Sequence, residues 1–383
     1  QKMITVNKPY ITKSGSRSRC NCDISVDGEN RTVWFEVDEE YEQYLVTERA
    51  DAYVVGLLHW CMLHGHDIKC LAPVTDELLY NITTILIPSL AKYAKDLNAV
   101  KIEAETAPAL PGKEIGTGCS CGIDSFDAIY QHYKTDFPTL DLTYLCINNV
   151  GAFNECYDEY GRDKVKEERY QKVDSVAEEL GLPIIKTDSN FADAFPQNHL
   201  FTATYSSVFA IYMMQKFWKI YYYASSGIDY GHFSLSDREC AHYDLLSLQC
   251  FSTSGLIIYS EGGEKERIDK TRDIVDFKPA QKYLHVCLTK PYNCGRCSKC
   301  QRTLLTLDYL NKLDNFKEVF DIDYYKENRV RYYKLLAYLH SMGNRMNEPV
   351  YQGMLSRPEF KKIADIEKIK NPLRKVKKKV LKK

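Results

Sequence analysis

The sequence predicts an α/β fold built on a doubly wound parallel sheet. An α+β segment precedes the sheet, and a four-cysteine knuckle plus helices follow it. Three observations carry this reading. From about residue 111 the chain alternates strand-like and helix-like segments, the signature of a parallel sheet with helices on both faces. Its strands, LDLTYLCINN above all, are nearly continuous apolar runs, as a sheet covered on both sides requires. After the last cysteine the periodicity is helical throughout. The expected divisions are residues 1–110, 111–286, 287–302 and 303–383.

Residues 2–36 alternate polar and apolar positions around the break DGEN, between CDISV and RTVWFEV, and read as a strand pair or small sheet. From Asp51, AYVVGLLHWCMLHG is apolar on every side, so a largely buried helix is expected. Thr75 stands as the N-cap of a second helix, DELLYNITTILIPSLAKYAKDL. In the central part KEIGTGC, LDLTYLCINN, PIIKTD, KIYYYAS and GLIIYS read as strands. VDSVAEELG ends a helix at Gly181, and a long helix is expected through Ser206–Trp218. QRTLLTLDYLNKL and RVRYYKLLAYLHSM are helical, and NPLRKVKKKVLKK is a basic tail expected as a solvated, disordered end.

The bulk numbers narrow the class. At 383 residues two or three domains are expected, and 44% hydrophobic with 27% charged residues is ordinary for a soluble protein. A net charge of −1 gives no global attraction to nucleic acid or anionic membranes. No apolar run approaches the roughly 18–20 residues of a membrane span, and QKMITVNKPYITKSG lacks a signal-peptide core. A cytoplasmic location is therefore expected. Most of the 14 cysteines, such as Cys61, Cys70, Cys146 and Cys250, are scattered singly and read as small buried hydrophobes, and Cys20 and Cys22 as structural.

Two clusters depart from this pattern. GTGCSCGIDSF, Gly116 to Phe126, packs glycines, hydroxyls and thiols between a strand and a helix. Amides at a helix start and the helix dipole favour an anion there, and small residues permit close approach. It is neither a Walker loop, lacking the Lys, nor a dinucleotide turn, the glycines being two and four residues apart. The second cluster, CLTKPYNCGRCSKC, places Cys287, Cys294, Cys297 and Cys300 so that four thiolates can wrap Zn²⁺; an iron–sulfur cluster is the rival.

Residues 120–125, SCGIDS, resemble the SGGxDS pyrophosphate loop of the PP-loop (N-type) ATP pyrophosphatases, whose fold is of the adenine nucleotide α-hydrolase type. The resemblance implies that Ser120, Cys121, Gly122, Asp124 and Ser125 bind ATP, with Mg²⁺ on Asp124. Cys121 replaces the family's first glycine. In GGEKERIDKTRDI, Arg267 and Lys270 lie one turn apart and would join the phosphate contacts; Asp124, Ser125 and Lys270 would be catalytic. As a loop acid, Asp124 is expected to be exposed and of little weight in stability.

With the cysteine knuckle, residues 111–302 look like 7-cyano-7-deazaguanine synthases, which convert a carboxylate to a nitrile. ASSGIDYGHFSLSDREC is similar to the segment of that family that would place Asp229, Asp237 and Arg238 at the substrate. The implied chemistry is ATP-dependent adenylylation of a substrate carboxylate or carbonyl, pyrophosphate release, then nitrogen transfer. The substrate is a small molecule and the nitrogen is free ammonia or comes from an amine-donating partner. Adenine is expected against Asn148 to Gly151. Two alternatives stand beside this. One is sulfur transfer to tRNA, with Cys119 or Cys121 reactive and the basic tail on RNA. The other is a non-catalytic nucleotide-binding module.

Overall fold

The computed structural model describes residues 2–152, 161–225, 228–287 and 290–380, with side chains to residue 369. Residues 226–227 of the ASSGIDYG segment, 288–289 of the knuckle loop and 381–383 of the basic tail lie outside this set. Two compact units are formed: Gln1–Ser120 with Gln131–Glu264, and Cys121–Tyr130 with Lys265–Lys383.

The first unit holds every strand among the described residues. They are β1 (Lys2–Val6), β2 (Tyr10–Ser14), β3 (Arg17–Val26), β4 (Glu29–Asp38), β5 (His66–Cys70), β6 (Val74–Thr75), β7 (Ile102–Glu103), β8 (Thr106–Ala107), β9 (Glu114–Gly118), β10 (Tyr144–Asn149), β11 (Ile184–Ser189), β12 (Trp218–Ala224) and β13 (Ile257–Glu261). One mostly parallel sheet runs β13-β12-β9-β10-β11-β4-β3-β1-β5-β7, with β2 on β3; β6 and β8 form a separate pair. The five strands from β9 onward are mutually parallel. Numbered from β9 as first, their order is 3-2-1-4-5, the doubly wound arrangement. Its direction of winding reverses between β9 and β12, and such a switch point opens a crevice at the strands' carboxyl ends.

The sheet continues across the division expected at 110/111. β4 joins β11 antiparallel, Asp188 opposite Glu36 and Ser189 opposite Phe35. Side chains extend the pairing where the backbone ladder stops. Ser189 Oγ donates to the Trp34 carbonyl at 2.6 Å, while Asn190 accepts from the Trp34 amide at 2.7 Å and donates to the Thr32 carbonyl at 2.9 Å. Arg17 on β3 reaches the Lys186 carbonyl at 2.7 Å. Polar pairing of this kind covers an edge that would otherwise be exposed. The hairpin of β3 and β4 turns at Asp27 and Gly28, both at positive φ, as a tight two-residue connection requires.

The helix Asp51–His64 is buried almost throughout, as its apolar circumference demands. It packs on His199–Met213, with Tyr53 edge-on to Phe209 at 5.7 Å and Phe191 stacked on the same ring at 4.6 Å. The expected helix after Thr75 is broken into Asp76–Asn81, a wider π turn Ile82–Leu86 and Ile87–Tyr93. Pro88 lacks the amide a regular helix needs there, which accounts for the local widening. Thr75 holds the expected N-cap position, but its hydroxyl does not bond the helix amides and donates instead to buried Asp51 at 2.6 Å. The helix expected through Ser206–Trp218 stops at Met213, and Trp218 opens β12. Cys20, Cys22, Cys61, Cys70, Cys146 and Cys250 are all buried.

The second unit is helical: Ile123–His132 through Tyr130, then Arg267–Ile274, Lys278–Tyr283, Ser298–Tyr309, Ile322–Glu327, Arg329–Ser341, Glu348–Met354 and Pro358–Val380. Buried Asp308 ties the C-terminal helices together. It accepts from Tyr325 at 2.7 Å, Tyr333 at 3.1 Å and Arg357 at 2.9 Å, and pairs with Arg329. The basic tail, expected to be disordered, continues the last helix in its backbone to Val380.

Candidate functional site

Of the three glycines in the crowded turn, Gly116 and Gly118 belong to β9. Gly116 is small because the Trp218 indole lies across it; a Cβ would sit 2.3 Å from that ring. The strand ends with the Cys119 amide donating to the Cys146 carbonyl at 2.7 Å. The Ser120 carbonyl accepts a long bond of 3.4 Å from Arg169.

The chain then enters the second unit. Cys121 is buried and has φ 60°, a left-handed conformation that suits glycine and costs a residue with a Cβ roughly 1 kcal/mol. Its carbonyl accepts from the His285 amide at 2.8 Å. Gly122 provides the first helical acceptor, to the Phe126 amide, and buried Ser125 donates its hydroxyl to the same carbonyl at 3.2 Å.

Asp124, in the first turn of this helix, is not the exposed acid expected. Its side chain is only 20% exposed and binds Arg267 at 2.9 Å and Lys270 at 3.2 Å. Those cations lie one turn apart on Arg267–Ile274, which begins with a capping box between Glu266 and Asp269. Lys270 is 1% exposed and Arg267 14%. Burial works against the Asp124 charge, but Arg267 and Lys270 outweigh it and hold the carboxyl below its usual range.

Lys299 and Arg302, one turn apart on Ser298–Tyr309, bear on Asp124 as well. Burial and the neighbouring Arg267 draw Arg302 down to about 10, still charged at neutral pH. Two cations thus pair with this carboxylate and two more act on it through space, a positive environment that suits an anion. The sequence reading missed Lys299 and Arg302; their one-turn spacing just after the last cysteines was the available signal.

The Cys287, Cys294, Cys297 and Cys300 sulfurs lie within 4.8 Å of one another, so this cluster can hold a metal ion. Cys287 and Cys297 are 3.9 Å apart, close to the edge of roughly 3.8 Å that tetrahedral Zn–S bonds of about 2.3 Å impose. The donor set therefore fits zinc. Amides of Arg296, Cys297 and Cys300 donate to the Cys294 and Cys297 sulfurs, a second layer that orients ligands. Gly295, at φ 70°, makes the turn, and Tyr332 donates to its carbonyl at 2.7 Å. Asn293 staples the loop: its oxygen accepts from the Val286 and Cys287 amides, and its nitrogen donates to the Leu284 and Val319 carbonyls.

The remaining expected residues lie in the first unit. Asp229, beyond β12, pairs with His232 at 2.7 Å. Asp237 faces His242 at 3.5 Å, and Arg238 binds Asp96 at 2.6 Å with 67% of its side chain exposed. Asp237 and Arg238 border a cleft of about 140 Å³ with His59, Leu63 and Tyr243; Asp229 is not among its lining residues. At the end of β10, Asn148 accepts from Thr187 at 2.7 Å and Asn149 donates to Asp188 at 2.7 Å. Asn149 Oδ1 is buried with no hydrogen-bond partner among the described residues. Val150 and Gly151 open onto a cavity of about 290 Å³ lined by Phe191, Phe195 and His199.

Comparison of the chain with family models, with curated proteins and with solved structures finds no match. The fold and site define a class: a mixed α/β protein with a mostly parallel central sheet and a four-cysteine cluster able to hold a metal ion. No helix among the described residues is long and apolar enough to cross a membrane.

Proposed function

We propose that the chain is a PP-loop-type ATP-dependent synthase, related in chemistry to 7-cyano-7-deazaguanine synthase, that adenylylates a small-molecule carboxylate or carbonyl and then accepts nitrogen. The observation that carries this is the convergence of buried Lys270 and Arg267 on Asp124 in the first turn of the helix after β9. Buried cations tied to one acid in a helix's first turn suit a site that exchanges partners: a pyrophosphate would take the cations, and Asp124 would then be free to hold Mg²⁺, which would offset charge on the leaving group. The 3-2-1-4-5 strand order supports the reading, since β9 is the strand beside the switch point.

In this scheme the substrate oxygen attacks the α-phosphorus and the bond to the bridging oxygen breaks. Pyrophosphate leaves toward Ser120, Gly122 and Ser125, with Cys121 at the turn. Ammonia or an amine then displaces AMP. Asn149 Oδ1 and the Val150–Gly151 backbone suit the amino edge of adenine. Zinc on the four cysteines would be structural, fixing the start of the helix that carries Lys299 and Arg302.

Exchange of labelled pyrophosphate into ATP, assayed with a panel of heteroaromatic carboxylates, tests the first half-reaction without knowledge of the nitrogen donor. Exchange with at least one acid, lost in Lys270→Met and Asp124→Asn, is expected. Absence of ATP binding at millimolar concentration in calorimetry would refute the reading.

A further inference from the structure

The net charge of −1 conceals a strong segregation. The unit Cys121–Tyr130 with Lys265–Lys383 carries 29 Lys and Arg against 16 Asp and Glu, a formal charge of +13, leaving −14 on the other unit. The last 14 residues supply eight of those cations; without them the helical unit is still +5. A basic domain beside an acidic one is the electrostatic footprint of a polyanion-binding surface.

Two of these cations line a cleft on this unit. The cleft, of about 140 Å³, is lined by Arg296, Gln301, Tyr324, Arg331, Tyr332 and Leu335. Arg296 projects from the cysteine knuckle, its guanidinium 4.9 Å from the centre of the Tyr324 ring. Arg331 enters from Arg329–Ser341, with exposed Lys334 one turn further along the same face. Both arginines are exposed, and among the described residues neither has a carboxylate partner. Their neighbours differ: Arg267, Arg272, Arg329 and Arg357 each hold an aspartate.

We propose that this cleft binds single-stranded nucleic acid. The two guanidinium groups grip a phosphate, the half-buried Tyr324 ring with Arg296 beside it offers a stacking platform to an unpaired base, and the Gln301 amide can donate to and accept from a base edge. A concave opening of this size admits an unpaired nucleotide but not a duplex. The proposal is independent of the nucleotide reading, because neither Arg296 nor Arg331 belongs to the Asp124 cluster or to residues 120–125.

The test is fluorescence anisotropy of the full chain with short labelled oligouridylate and oligothymidylate across a salt series. Binding should weaken linearly in log–log form, by about 0.7 per phosphate contacted. Arg331→Ala should lower affinity about 5- to 10-fold and flatten the slope by about 0.7, with metal content and ATP–pyrophosphate exchange unchanged. Arg296→Ala should act alike; because it neighbours metal ligands, the Arg331 variant decides if it misfolds. Preference for the ribose or the deoxyribose oligomer identifies which strand is bound. The proposal is overturned if neither oligomer binds, or if Arg331→Ala leaves the slope unchanged. It is likewise overturned if polyglutamate or phosphatidylserine vesicles bind through the same arginines as tightly as the oligomers.

Discussion

Replacing Asp124 by alanine removes the shared partner of two cations, and the structure gives the scale of the loss. Lys270 has 1% of its side chain exposed and lies 3.2 Å from the carboxylate; Arg267 lies 2.9 Å away. Deleting one side of a buried ion pair generally costs about 3–5 kcal/mol, because the other charge stays buried and unpaired. Asp124 keeps 20% of its exposure, so about 3 kcal/mol is expected. Its folded-state pKa lies below the ordinary 3.8, so the contribution is complete above that value and disappears as pH falls through the lower folded one. The variant's deficit should therefore be constant from pH 5 to 8 and shrink in stronger acid.

Tryptophan fluorescence cannot follow this loss, because Trp34, Trp60 and Trp218 all belong to the other unit. Amide hydrogen exchange of Arg267–Ile274 can. If the helix exchanges through opening of its own unit, about 3 kcal/mol corresponds to roughly 100-fold faster exchange. Asp124→Ala combined with Lys270→Met should recover at least half of it, since the stranded charge is then gone. Exchange within twofold of wild type in Asp124→Ala, or no recovery in the pair, would refute the argument.

If the four cysteines hold zinc, Cys297→Ser should lower the metal content from about one per chain to substoichiometric levels; it should also accelerate exchange in Ser298–Tyr309, because the Cys297 sulfur caps that helix, and atomic absorption and hydrogen exchange check this. Burial raises the Asp127 carboxyl to about 6, with Lys265 only partly opposing. A raised folded pKa means stability is lost as pH climbs from 3.8 toward that value. Asp127→Asn should therefore gain on wild type by about 1–3 kcal/mol between pH 4 and 7 and match it in stronger acid. Urea unfolding followed by far-ultraviolet ellipticity reads this difference.

Periodicity exposed the parallel strands because each is a short apolar run bounded by turn residues, and their alternation with helices is a local signal. The fusion of β4 to β11 was not legible. It depends on Ser189 and Asn190 meeting Trp34 and Thr32 across more than 150 residues, and nothing in either segment alone marks the partner. Thr75 was placed correctly at the N-cap, but the partner of its hydroxyl, Asp51, lies 24 positions away and was not legible for a similar reason. At the candidate site the spacing of Cys294, Cys297 and Cys300 and of Arg267 and Lys270 was visible because each lies within one turn. The burial of Asp124 between cations was not, since it requires residues 143 and 146 positions away.

The order of strands also dictates how the chain is made. β9 needs β12 and β10 as neighbours, and β4 needs β11, so the large sheet cannot close until residue 261 has left the ribosome. Residues 121–130 emerge well before the rest of their own unit, which begins at Lys265, exists. Such sequence-distant pairing slows folding and leaves apolar Ile123, Phe126 and Ile129 uncovered during synthesis. Nascent chains halted before residue 265 should be captured by chaperones at this segment and released once the knuckle is complete.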